Sequence, residues 1–419
     1  MIIRLFRGKA MKKPSTGLRS WHRTVIATVV LPLVISLAVT AYAWPASRIA
    51  PRDLPVGIVG TSTASQSAVE GLTQSMPGGF DFHLYPDQSS ARSAIKNREV
   101  YGAFVVTPGH VTVLEASAAS ASVAQLLTMS GQHLAAQAAK LQVEHVTPSA
   151  DSSSRSTDPK DGGAEAAVNV RVKTVDIAPF SANDPRGVVF SSALLPLTIC
   201  SIAIAALIAL SGGRIPMWRR LIDLFAACAV TGLAAYLIAQ GLLGALPHEH
   251  VATWAALSLT MLAISATSVG LITLVGPAGL GLSAVLMVFV GNPFSGITSA
   301  PELLPKAVED IGQWLPPGAG ANLLRSTAYF DGNGSAGHIA VLVLWSVLGL
   351  ATAVLARRTP TVASDTVASD TVASDTVGED LPGSDDMSAD SPVVDETATA
   401  LSPSPTHHRQ AHARHAAHE

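Results

Sequence analysis

Residues 188–210 read VVFSSALLPLTICSIAIAALIAL, a run without a single charged side chain. A helix of ~20 apolar residues is long enough to cross the ~30 Å hydrocarbon core of a bilayer. This stretch therefore predicts a transmembrane helix. Working outward, similar runs occupy about 24–44, 221–244, 252–274, 278–292 and 338–356. The first stands alone, separated from the others by a long and mostly polar stretch, 45–186. The expected fold class is an α-helical polytopic membrane protein with six transmembrane helices and an α/β extracytoplasmic domain between the first and second spans. A mean hydropathy of +0.37 with 14% charged residues is too apolar for a soluble chain of this length.

The net charge of −3 conceals an asymmetry. Arg4, Arg7, Lys9, Lys12, Lys13, Arg19 and Arg23 crowd residues 1–23, directly before the first span. A basic cluster in that position is a topology signal and needs no nucleic acid to explain it. Applied segment by segment, the positive-inside rule puts both termini in the cytoplasm and 45–186 outside. Arg214, Arg219 and Arg220 mark a cytoplasmic loop, and Arg357-Arg358 ends the last span inside. A cleaved signal peptide is the rival account of 24–44, since Ala41-Tyr42-Ala43 has a small-x-small pattern. That run exceeds the usual h-region of about 7–15 residues, and Pro32 and Trp44 suit a retained helix. Cys200 and Cys228 both fall inside spans, where they read as small packing residues.

Segment 45–186 predicts alternating strands and helices. Leu54–Val59, Phe80–Tyr85, Tyr101–Val106, His110–Leu114 and Val168–Ile177 read as strands, and Ser65–Met76, 88–99 and Ser120–Leu141 as helices. Asp87 is a natural cap for the second of these. Residues about 144–166, rich in Ser, Asp, Gly and Thr, form a flexible loop in this reading. The membrane domain, 187–356, includes a segment at 293–337 broken by Pro and Gly. Its two readings are a re-entrant outer gate and a pair of interfacial helices, with Glu302, Glu309, Asp310 and Arg325 on its polar side. The candidate gate residues are Asn292, Pro293, Glu302, Pro316, Pro317 and Arg325. Asp184, Pro185, Arg186 and Gly187 form the approach to the second span, where Asp184 is expected to cap and Pro and Gly to set the angle.

Three stretches carry a resemblance to a known family. Asp53-Leu-Pro-Val-Gly-Ile-Val59 opens the outer domain. Val175-Asp-Ile-Ala-Pro-Phe180 and Asn183-Asp-Pro-Arg-Gly187 precede the second span. Gly291-Asn-Pro-Phe-Ser-Gly296, Pro301-Glu-Leu-Leu-Pro305, Trp314-Leu-Pro-Pro-Gly318 and Arg325-Ser-Thr-Ala-Tyr-Phe330 follow the fifth. In order and spacing, over about 20–357, the chain resembles the phage infection protein family and the ABC-type export permeases of the type-2 class. The resemblance implies a permease subunit working as a homo- or heterodimer, while abundant Ala and the predominance of Arg over Lys suggest a bacterium and with it a plasma-membrane location.

No Gly-x-x-x-x-Gly-Lys-Ser/Thr loop is present to bind ATP, so energy for export must come from a separate ATP-binding subunit. Its candidate contacts are Arg214, Trp218, Arg219 and Arg220, together with the basic stretch Ile2–Arg23. Proton-driven transport is disfavoured, because the only charge within the spans after Gly187 is Asp223. An i, i+3 or i, i+4 ion pair with Arg219 or Arg220 accounts for it more simply. Gln240, Thr260, Thr267 and Ser268 read as helix-packing residues or the lining of a polar path.

No enzymatic constellation is found. There is no Gly-x-Ser-x-Gly elbow and no His-Glu-x-x-His motif, and His83, His110, His133 and His145 are scattered. Neither a cofactor nor a metal is expected. The tail, 357–419, repeats Thr-Val-Ala-Ser-Asp over Thr361–Asp375 and ends in a His-rich tract including His407, His408, His412, His415 and His418. It reads as solvated and disordered. The alternative function from another class is a non-transporting envelope protein whose outer domain is a receptor or scaffold.

Overall fold

A computed structural model describes residues 28–29, 31–60, 62–107, 109–146, 171–211, 216–246 and 250–356, and all that follows concerns these. The basic N-terminus 1–23, most of the predicted loop at about 144–166, Arg214 and the tail 357–419 lie outside them.

The sheet domain forms where the short apolar run 54–59 and the alternating stretches 80–85 and 168–177 predict strands. Its strands are β1 (Leu54–Val59), β2 (Phe80–Tyr85), β3 (Gly102–Thr107), β4 (His110–Glu115) and β5 (Arg171–Asp176). They form one sheet in the order β2-β1-β3-β4-β5. β1 runs parallel to both β2 and β3, the β3–β4 hairpin is antiparallel, and β5 returns parallel to β4. Three helices cover it: α2 (Thr63–Ser75), α3 (Gln88–Lys96) and α4 (Ala121–Val146).

Alternation divides the strand side chains between two cores. Leu54, Val56, Ile58, Phe104, Val111 and Val113 pack with Ala68 and Leu72 of α2 and Val123 and Leu127 of α4. Val59, Ala103 and Leu114 face the other way, with Ala91, Ala94 and Ile95 of α3. Ser62 and Asp87 cap α2 and α3 by accepting from the Ser65 and Ser90 amides at 3.2 and 2.8 Å.

Four helices are long and apolar enough to cross a membrane: α5 (Val188–Leu210), α6 (Met217–Leu242), α7 (His250–Val275) and α11 (Ala336–Leu355). Two shorter apolar helices, α1 (Leu31–Ala46) and α8 (Ala278–Phe294), occupy the places of the first and fifth runs. α6 and α8 each contain a π-turn, at Leu237–Leu242 and Val285–Gly291. α7 is apolar all round and is the buried centre, with 72% of its central window enclosed against 22–28% for the other three. A helix without a polar face has to be surrounded, and α5, α6 and α11 surround it. Their outward rows, including Leu207, Val230, Leu242 and Val347, stay exposed. Apolar surface on this scale requires hydrocarbon or another subunit to cover it.

Close packing in the bundle uses small residues. A Cβ on Gly349 of α11 would come within 2.4 Å of the Ala266 backbone of α7, and one on Gly270 of α7 within 2.2 Å of Thr352 Oγ1. Such approach lets helices without a hydrophobic driving force gain dispersion contacts. Thr260, Thr267 and Ser268 donate to carbonyls of their own helix, at Ala256, Ala263 and Ile264. Gln240 Oε1 accepts from Leu246 N at 2.9 Å and so braces the α6–α7 turn. Interhelical hydrogen bonds come instead from Ser265, whose Oγ donates to Ser201 O at 2.8 Å, and from Trp254, whose Nε1 donates to Ala229 O at 3.0 Å. Cys228 is buried beside Ser265 and Cys200 is exposed, both as free thiols.

Candidate functional site

The segment predicted as a re-entrant gate or a pair of interfacial helices is broken into short pieces. Pro301–Leu303 is a single 3-10 turn, followed by α9 (Lys306–Trp314) and α10 (Pro316–Tyr329). Every residue of α10 is buried. It packs on α7 and α11 through Ala319 and Leu323, against Ala256, Ala263 and Leu342. Ala300 and Leu303 join the sheet-domain core beside Leu54 and Val56. Helix bundle and sheet domain therefore meet across this segment.

The centre of the junction is Arg98, which follows the C-terminus of α3. The Glu99 amide donates to Ala94 O at 2.9 Å and the Arg98 amide to Ile95 O at 3.0 Å, the double bond of a Schellman ending. Its left-handed position, φ 62°, is occupied by Arg98 where glycine is the usual residue. The side chain explains the exception. Arg98 Nη1 donates to Asn322 O at 3.1 Å and to Ser326 Oγ at 2.5 Å, and Nη2 donates to Asn322 Oδ1 at 3.0 Å. The guanidinium also lies 5.6 Å from the Phe330 ring centre.

A second guanidinium shares the same acceptor. Arg325 is 2% exposed; its Nη1 donates to Asn322 Oδ1 at 3.1 Å and its Nη2 to Ile297 O at 3.1 Å. Asn322 Nδ2 in turn donates to Gln313 Oε1 at 2.6 Å. The Tyr101 hydroxyl, at the start of β3, donates to Glu302 Oε2 at 2.6 Å. Burial draws the Arg98 guanidinium down from its ordinary value, opposed by Tyr101 and Glu302. Burial, then Glu302, pushes the Tyr101 phenol well above its usual range, so it remains a donor. Burial likewise raises Glu309, against the pull of Lys306. A cavity of about 230 Å³ opens between these groups, lined among others by Arg98, Tyr101, Glu302, Glu309, Gln313 and Asn322.

Two further attachments flank this cluster. Before β1, Ala50 N and Arg52 Nη1 donate to Leu303 O at 3.1 and 2.8 Å. After β5, Ser181 Oγ donates to Gly244 O at 2.6 Å, and Phe180 stacks edge-on against Tyr329, whose hydroxyl donates to Ala245 O.

The predicted site residues separate into distinct surroundings. Of the gate set, Pro316, Pro317, Asn292 and Arg325 are buried in packing, Pro293 is half-buried, and Glu302 faces Tyr101 of the sheet domain. Arg325 thus does not lie on an open polar side, because Asn322 and Ile297 enclose it. Asp184 accepts from Val188 N at 2.8 Å and Val189 N at 2.9 Å, satisfying the free amides at the start of α5. Pro185 and Arg186 are exposed, while Gly187 adopts φ 64° under the Phe180 ring. At the far end of the bundle Trp218 and Arg219 are exposed, but Arg220 is only 4% exposed and packs into the protein. Asp223 is exposed and forms no ion pair with Arg219; Lys306 with Glu309 and Asp310 is the paired set on a helix. Among the described residues, no group of three His, Cys, Asp or Glu is placed to hold a metal.

Sequence reasoning missed Arg98, Tyr101, Asn322 and Gln313. Their one local signal was the absence of a glycine after α3, which marks an unusual helix ending without saying what holds it. No protein-family model matches the chain, and no curated protein matches it.

Proposed function

We propose that this chain is the membrane-spanning permease subunit of an ATP-driven exporter, dimeric and dependent on a separate ATPase subunit. In this proposal α1 and α8 complete six spans, both termini are cytoplasmic and the sheet domain lies outside a bacterial plasma membrane. The observation that carries it is the polar attachment of Arg98 to Asn322 and Ser326, flanked by the contacts at Leu303 and Gly244. A domain displayed merely as bait needs only a tether. One bonded to α10, itself wedged against α7 and α11, moves with those helices. At the opposite end, exposed Trp218 beside Arg219 offers an aromatic and a guanidinium of the kind that anchor protein partners.

The test is purification of the intact protein in native nanodiscs, with mass spectrometry and an ATPase assay. The expected result is a co-purifying nucleotide-binding subunit whose hydrolysis falls in Trp218→Ala and Arg219→Ala. A folded protein that brings no ATPase, while an envelope component binds 45–186, would overturn the exporter in favour of a receptor or scaffold.

A further inference from the structure

Behind the Arg98 cluster lies a second, smaller cavity of about 70 Å³, where the start of α4, the start of α5 and residues 297–299 converge. We propose that it binds a phosphate-class oxyanion, held by Arg325 from within and Arg186 from the rim. Arg325, Arg186 and the hydroxyl residues Ser120, Ser191, Thr298 and Ser299 all line it, and no carboxylate does. Its size is far below the ~300–1,000 Å³ of sites that enclose drug-sized ligands. A tetrahedral oxyanion matches it better.

Three independent observations point to an anion. Arg325 is 2% exposed, yet its Nε has no hydrogen-bond partner. A buried guanidinium hydrogen is costly to leave unmet, so a site of this kind implies an acceptor. Neither Arg325 nor Arg186 forms an ion pair with any described carboxylate; Arg325 has only the Phe190 ring, 5.2 Å away, and the neutral acceptors at Asn322 and Ile297. Two guanidinium groups thus meet at one small cavity with no described carboxylate in ion-pair contact with either, Glu302 acting on Arg325 only from beyond that distance. Finally, Ser120 and Ala121 bring the N-terminal end of the long helix α4 to the cavity, where the helix dipole favours negative charge.

The neighbouring acid, Asp184, does not line the cavity and forms no ion pair with Arg186 or Arg325; its two oxygens accept from the Val188 and Val189 amides. The cavity lies at one end of α5, a helix long enough to span a bilayer, which is the depth at which phospholipid head groups sit. A lipid phosphodiester and free inorganic phosphate share the chemistry this site recognises, and experiment separates them.

The intact protein, stripped of lipid in detergent, is titrated with phosphatidylglycerol and read by native mass spectrometry. In parallel it is titrated with inorganic phosphate and read by thermal shift. The expected result is one saturable site per chain, weakened about tenfold or more in Arg186→Gln by loss of one charge-assisted contact. Arg186 is exposed, so this variant leaves the packing of the fold intact. Arg48→Gln, at the end of α1, should bind as the parent does. Retention of lipid that phosphate cannot displace assigns a head-group site, whereas phosphate binding without lipid retention assigns a soluble anion. If neither probe binds a well-folded parent, or if Arg186→Gln binds both unchanged, the proposal is overturned. No ATPase enters these measurements, so their outcome is separate from that of the exporter proposal.

Discussion

Arg98→Ala tests whether the sheet domain is locked to the helices through one side chain. The arginine makes three hydrogen bonds to α10, two of them to Asn322 and one to Ser326. A hydrogen bond from a charged group is worth roughly 1.5–3 kcal/mol net. Asn322 Oδ1 keeps its bond to Arg325 in the variant, so only part of this sum is lost. Removing the desolvated guanidinium also recovers some hydration. The net loss should be about 2–4 kcal/mol, equivalent to about a 30- to 1,000-fold rise in local opening at the junction.

Hydrogen–deuterium exchange on the intact protein in nanodiscs reads this directly. Amides in 322–333 and in the last turn of α3 should exchange faster by that factor, and those of α7 should not change. Arg98→Gly separates the side chain from the backbone. It loses the same bonds but relieves the left-handed φ of 62°, so it should be less destabilised than Arg98→Ala by about 1 kcal/mol. Unchanged exchange at 322–333 in both variants would refute the lock and remove the chief support for mechanical coupling.

Three other changes have defined outcomes. Gly349→Ala places a methyl within 2.4 Å of the Ala266 backbone, which cannot swing aside, and should cost roughly 1–3 kcal/mol of overpacking, seen as a lower melting temperature in detergent. Asp184→Ala leaves the Val188 and Val189 amides without their acceptor; it should destabilise the start of α5 by about 1 kcal/mol, while Asp184→Asn retains much of that stability. Glu115 is raised by burial, an effect opposed by its Thr128 hydrogen bond and reinforced by Asp176 across the strand pair. Because its folded value is the higher one, its contribution is full below the unfolded value of ~4.3 and is lost as pH rises through the folded value. Glu115→Gln should therefore melt higher than the parent at pH 7 and level with it near pH 4; an equal gain at both values would contradict the burial account.

The legible parts of this protein were those fixed by short-range pattern. Residues 188–210 declared their helix by composition alone, and the helix bounds match because an uncharged run ends where Gly187 and Ser211 end it. Strand 54–59 followed from its short apolar run and 80–85 from alternation, and the fifth strand, separated from β4 by a long interval, was expected over Val168–Ile177 and forms over Arg171–Asp176. The 293–337 segment was legible only as broken backbone. Its Pro and Gly residues forbid a continuous helix but say nothing about which surface encloses the pieces.

Sequence by itself thus determined which segments are helix, strand or break, since backbone period and turn chemistry act over a few residues. It also set the capping of α5, where Asp184 lies within one turn of the amides it accepts. Tertiary structure decided everything that joins distant segments. Arg98 and Asn322 are 224 positions apart, and Tyr101 and Glu302 201 apart. Nothing in either neighbourhood encodes the other, because such pairs arise from the summed packing of the sheet on the helices. Likewise, Arg325 looks by composition like a residue for a polar surface. Only the enclosure of α10 on every side turns it into a buried cation facing a small cavity.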